Sequence, residues 1–142
     1  MKKVLILMFS IGLIFSLGSC NAQETKDSEN SEKTDPTITV EKVEVYYFHG
    51  TRRCTTCKAV GRVAQALVQN KYGNNKKVEF VEIDYDVPGN EDLVEKFEVT
   101  SSGLYVYNGV EVINLTSLAF RYATTDPDKL RDKLTELIDK NL

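Results

Sequence analysis

Two strand-like runs with a helical segment between them are the strongest constraint this chain places on its own fold. Residues 38–48 (ITVEKVEVYYF) alternate apolar with charged and then turn fully apolar, the pattern of a strand entering a buried sheet. Residues 77–85 (KVEFVEIDY) repeat the strand pattern, with Val78, Phe80 and Ile83 as expected core residues. Between the two runs Val60, Val63, Ala64, Leu67 and Val68 recur at helical spacing, Tyr72 extends the face, and Gly73 is placed to end the helix. Strands joined through a helix pair in parallel, with a right-handed crossover. Gly61 inside this helix costs about 1 kcal/mol relative to alanine, which close packing against the sheet would offset.

Further along, Pro88-Gly89-Asn90 reads as a turn, with Asn90 capping a short helix that carries Leu93, Val94 and Phe97 on one side. The runs Leu104–Tyr107 and Glu111–Leu115 flank Asn108-Gly109, the strongest short hairpin signal available. Residues 116–126 read as a longer connection, with Phe120, Arg121 and Tyr122 expected to pack or to edge a client groove. Asp126-Pro127-Asp128 then supplies a capping carboxylate, a proline at the first helical position and acid in the first turn, and Leu130, Leu134, Leu137 and Ile138 repeat at helical spacing. The expected order is β-α-β-α-β-β-α, an α/β fold with a central mixed sheet and helices on both faces. Tyr46 and Tyr47 occupy adjacent, opposite-facing strand positions and are expected in the core.

The segment before residue 38 is of a different kind. Met1-Lys2-Lys3 is basic, and Val4 to Leu17 is apolar apart from Ser10, Gly12 and Ser16. That stretch matches a signal-peptide core and falls short of the roughly 20 residues needed to span a bilayer. Leu17-Gly18-Ser19-Cys20 resembles a bacterial lipobox, which implies cleavage before Cys20 and diacylglycerol on its thiol. An ordinary signal peptide fits less well, because it would leave Cys20 unpaired after export. Residues 21–37 are nearly all Ser, Thr, Asn, Gln, Glu, Asp and Lys, too polar to offset the entropy of ordering. They read as a tether with an end-to-end distance of about 20–25 Å. The chain thus divides into a signal peptide (1–19), a lipidated cysteine with its tether (20–37) and one domain (38–142), placed in the extracytoplasmic space of a bacterial cell envelope. The net charge of −3 over 142 residues gives no footing for nucleic acid.

Chemistry concentrates in Cys54-Thr55-Thr56-Cys57, where the first strand hands over to the first helix. Cysteines separated by two residues in a helical turn bring their sulfurs within bonding reach. The first stands at the helix N-terminus, where unpaired N–H groups and the dipole favour an anion, and Arg52 and Arg53 add positive charge upstream. Both effects favour a Cys54 thiolate, the attacking species in disulfide exchange, with Cys57 resolving the mixed disulfide. Thr55 and Thr56 offer hydroxyls to the helix cap or to a sulfur. A structural disulfide and a soft-metal site such as Cu(I) remain open alternatives. His49, the single histidine, either ends its strand with a hydrogen bond to the loop or serves as a base or ligand beside the sulfurs. No cofactor is called for.

This order of elements, with Cys-x-x-Cys between first strand and first helix, resembles the thioredoxin superfamily over roughly residues 38–142. YYFHGTRRCTTCKAV looks like the family's strand, loop and redox motif. VEFVEIDYDVPGNEDLVEKFEVT is similar to the run from the second strand through the short helix, and LYVYNGVEVINL to the closing hairpin. The resemblance implies a thioredoxin-like fold and thiol–disulfide exchange with exported protein thiols or an envelope redox partner. It also implies a client-facing segment around Ser102 and Gly103. Three positions depart from the family: Arg53 replaces a tryptophan, the strand before the motif lacks a buried aspartate, and Val99–Leu104 lacks the cis-proline.

Overall fold

The computed structural model describes residues 42–142, so the expected signal peptide, Cys20, the expected tether and the first residues of the expected first strand lie outside it. The described chain runs β1 (Val43–His49), α1 (Thr55–Tyr72), β2 (Val78–Asp84), α2 (Glu91–Lys96), β3 (Gly103–Tyr107), β4 (Val112–Asn114), α3 (Thr116–Tyr122) and α4 (Pro127–Lys140). One four-stranded sheet has the order β2-β1-β3-β4. β1 and β2 are parallel, with Val43 opposite Val78 and Tyr47 opposite Glu82. β1–β3 and β3–β4 are antiparallel. This is an α/β fold of thioredoxin-like topology, with the mixed sheet, the first six elements and the closing helix in the expected order and one further helix, α3, between them.

Strand parity divides the core in two. Val43, Val45 and Tyr47 of β1, with Leu104 and Val106 of β3, face α1, α3 and α4 in the larger cluster. Tyr46 and Phe48, with Tyr105, face the other way and close around Phe97 behind α2. Helices therefore cover both faces, and the two tyrosines point in opposite directions as expected. Val78 and Phe80 join the larger cluster, while Ile83 joins the aromatic one. The Phe97 ring lies 4.5 Å from Tyr46, 5.2 Å from Phe48 and 5.7 Å from Tyr105 by centroid, distances at which tilted and edge-on aromatic pairs attract.

Three local expectations change. Residues 116–126 are not merely a connection: α3 occupies Thr116–Tyr122 and buries Ala119, while Phe120 and Tyr122 pack on the larger cluster. Asn90 stands at the N-cap of α2 but makes no capping bond. Its Nδ2 instead donates to Asp84 O at 2.8 Å, holding the loop after β2. Gly73 follows α1 with right-handed φ of −56°, so the helix ends without the left-handed glycine cap. The Asp126 cap is present, its carboxylate accepting from Lys129 N at 3.3 Å. In the hairpin, Asn108 Oδ1 accepts from Val110 N at 3.0 Å and Glu111 N at 2.8 Å, and Gly109 takes the positive φ of 91° that this turn requires.

Gly61 has a specific use. A Cβ placed there would sit 2.7 Å from Tyr47 Cε1, inside any tolerated contact. The missing side chain lets α1 rest directly on the Tyr47 ring.

Candidate active site

β1 delivers the chain to the motif, and the loop after β2 pins it there. Tyr85 N donates to His49 O at 2.9 Å. Thr51 N donates to Asp86 Oδ2 at 2.8 Å and Thr51 Oγ1 to Asp84 Oδ2 at 3.1 Å. With its entry fixed at both ends, the backbone arrives at Cys54 in an extended conformation, φ −73° and ψ 171°, and enters α1 at Thr55.

Cys54 is itself the N-cap. Its sulfur accepts from Cys57 N at 3.2 Å, taking the place a serine or aspartate oxygen would hold. The Cys54 and Cys57 sulfurs lie 2.9 Å apart as free thiols, so less than an ångström separates them from the disulfide length of about 2.05 Å. Cys54 is exposed and Cys57 half-buried, so the first sulfur is open to solvent and the second less so. The Cys57 thiol hydrogen bond, first, and the Cys57 backbone N–H, second, hold the Cys54 thiol below its ordinary value. Thr55 and Thr56 open the helix, but neither hydroxyl makes a side-chain hydrogen bond among the described residues; the cysteine does the capping.

The two arginines separate. Arg52 is exposed, with no carboxylate within 4 Å among the described residues. Arg53 turns to Glu82 and pairs with its Oε1. The same oxygen stands 3.0 Å from His49 Nε2, while His49 Nδ1 lies 3.0 Å from Gly50 O. His49 is only 6% exposed and its ring leans on Tyr47 at 5.3 Å. It thus closes the strand and ties the loop to β2. Ser102 is half-buried and Gly103 buried, and Gly103 pairs with Phe48 at the end of β1 that leads into the motif. A Cβ on Gly103 would meet Thr116 Oγ1 at 2.6 Å. Among the described residues no three His, Cys, Asp or Glu side chains gather in a way that could hold a metal ion.

Two contributors escaped the sequence reading. Glu82 supplies a carboxylate beside the motif from β2, whereas attention to β1 alone finds none. Its signal is strand parity: Val78, Phe80 and Glu82 share a face, and a charge ending an apolar row wants a partner. Tyr47, read only as core, also donates its hydroxyl to Cys57 O at 2.6 Å. Burial, first, and the neighbouring Cys57 thiol push its phenol up to about 12.

These geometries give a direct expectation. Cys57→Ala removes the largest cause of the Cys54 shift and leaves the helix N–H groups in place. The pH midpoint of Cys54 alkylation, followed by mass spectrometry, is expected to move up toward that of an ordinary thiol. Arg52→Ala is expected to leave it in place. The opposite pair of results would assign the shift to arginine charge.

No protein-family description matches this chain, and neither does any curated protein. Several solved structures align with it, three of them as follows. A malarial protein is 21% identical at TM-score 0.48, covering 71% of this chain and 98% of its own. Deadhead, a germline-specific thioredoxin of Drosophila melanogaster, is 24% identical at TM-score 0.48, covering 68% and 82%. A Fasciola hepatica thioredoxin is 22% identical at TM-score 0.44, covering 68% and 81%. The class that the chain's own topology and site define is an α/β domain of thioredoxin-like fold carrying a Cys-x-x-Cys pair.

Proposed function

We propose that this chain is a membrane-tethered thiol–disulfide oxidoreductase of the bacterial cell envelope, held to the lipid through Cys20. The observation that carries the reading is the sulfur pair: two free thiols 2.9 Å apart, the exposed one capping a helix and accepting a backbone N–H. The Cys54 thiolate attacks a client disulfide, one client sulfur departs as thiolate and takes a proton, and a mixed disulfide remains. Cys57 then attacks Cys54, expelling the second client thiolate and closing the protein disulfide. Two electrons pass from protein to client, and an envelope dithiol partner restores them. The reverse sequence oxidises a client.

Insulin reduction in the presence of a small dithiol tests the activity. Wild type is expected to outpace the Cys54→Ser, Cys57→Ser double variant; equal rates across clients and reductants would remove the proposal. The anchor is tested separately. Cys20→Ala is expected to move the protein from the membrane to the soluble fraction, and an unmoved protein would count against lipidation. No described helix is long and apolar enough to cross a membrane.

A further inference from the structure

A groove of about 270 Å³ is lined by Arg53, Lys58, Gly61, Arg62, Gln65 and Glu82, two of which are the sequence neighbours that flank the cysteine pair. Lys58, Gly61, Arg62 and Gln65 fall three and four apart on one face of α1, and Glu82 closes the groove from β2, an edge strand of the sheet. Gly61, buried against the Tyr47 ring, forms part of the groove's wall. Arg53 precedes Cys54 and Lys58 follows Cys57 in sequence, and Lys58 N donates to Cys54 O at 3.1 Å, so the first turn of α1 joins the groove to the motif. The Glu82 charge is already engaged, its Oε1 facing both Arg53 and His49. Lys58 and Arg62 are exposed, and neither has a carboxylate within 4 Å among the described residues. A chain with a net charge of −3 thus leaves two uncompensated cations along the helix that Cys54 caps. The volume is small for a drug-sized ligand and polar where such pockets are apolar, but it admits a single anionic group.

We propose that this groove selects disulfides carrying a carboxylate close to the reacting sulfur, with Lys58 and Arg62 receiving the carboxylate while Cys54 attacks. The proposal rests on the oxidoreductase reading and names the substrate class for the same site. The shared chemistry has two sources: a small carboxylated disulfide, or an acidic side chain beside a cystine in an exported polypeptide. In either case the exchange consumes the substrate S–S bond, yields two substrate thiols and leaves the Cys54–Cys57 disulfide.

The test uses pre-reduced protein and two chromogenic disulfides, the dianionic dithiobis(nitrobenzoate) and the neutral dithiodipyridine. The neutral probe reports the intrinsic reactivity of Cys54, so the ratio of the two rates isolates the groove. In the Lys58→Gln, Arg62→Gln double variant the ratio is expected to fall about fivefold or more, and in wild type to fall as salt rises. A parallel pair of cystine peptides, flanked by Glu or by Gln, reads the polypeptide source in the same way. A fall in either pair supports the inference and identifies its source. Ratios unchanged in both, with the neutral probe still reacting through Cys54, overturn the inference alone. A neutral probe that reacts no faster with wild type than with Cys54→Ser overturns the oxidoreductase reading beneath it.

Discussion

Tyr47→Ala is expected to cost about 3–5 kcal/mol of folding stability, measured by urea denaturation of the reduced protein, the range for emptying a buried aromatic position. The ring is fully buried in the larger cluster. It is also the surface on which Gly61 lets α1 rest, so its loss leaves a void under the helix that carries both cysteines. Local collapse cannot fill that void without moving the motif. Gly61→Val attacks the same contact from the other side by forcing a side chain into the ring, and is expected to destabilise through overpacking by about 1–3 kcal/mol. Tyr47→Phe separates packing from hydrogen bonding. It keeps the ring and deletes only the hydroxyl that donates to Cys57 O, for about 1 kcal/mol.

The same substitution has a signature in pH. Folding raises the Tyr47 phenol to about 12, chiefly by burial, against an unfolded value of about 10. For a group raised on folding, its share of stability is intact below the unfolded value and is lost as pH climbs through the folded one. Wild type is therefore expected to lose stability between about pH 10 and pH 12. Tyr46, raised to about 12 for the same first reason, contributes a second such loss. Tyr47→Phe is expected to make this alkaline decline shallower without abolishing it; a decline equally steep in the variant would mean that the phenol titrates as freely folded as unfolded.

How much of this arrangement was legible in the sequence depended on whether a residue's partner was local. The α1 face, the Asp126 cap and the Asn108-Gly109 hairpin all declare themselves within a few residues, and all three form. The short α3 does not: Thr116–Tyr122 is only seven residues, too short to hold as a helix by itself, and tertiary packing of Ala119 and Phe120 decides the matter. Asn90 had the composition of a cap, but the Asp84 carbonyl across the loop competed for its side chain and won. The site divides in the same way. The adjacency of Cys54 and Cys57 is local and visible. The Glu82 carboxylate reaches the motif only through the parallel register that sets it opposite Tyr47, and that register is a property of the folded sheet. Arg53, which reads as a free charge beside a nucleophile, is drawn away by a partner 29 positions further along.

Serine substitutions at the two cysteines are expected to fail in different ways, and the difference is the largest effect the site predicts. Cys54→Ser places a hydroxyl where the proposed nucleophile was; it can still cap α1, so the fold persists, but at neutral pH it is not an anion and does not attack sulfur. Client turnover is expected to fall at least about 100-fold. Cys57 does not substitute for it, because it lies half-buried within the helix while Cys54 is exposed at its tip. Cys57→Ser retains the exposed thiol and its backbone N–H donor, so the first exchange proceeds. The resolving sulfur is gone, and the mixed disulfide accumulates. Incubation with a disulfide client followed by non-reducing electrophoresis is expected to show a covalent adduct with Cys57→Ser and none with Cys54→Ser. Adducts through Cys57 in the Cys54→Ser protein would reverse the roles of the two sulfurs. Adducts in neither would mean that the 2.9 Å pair serves structure rather than exchange.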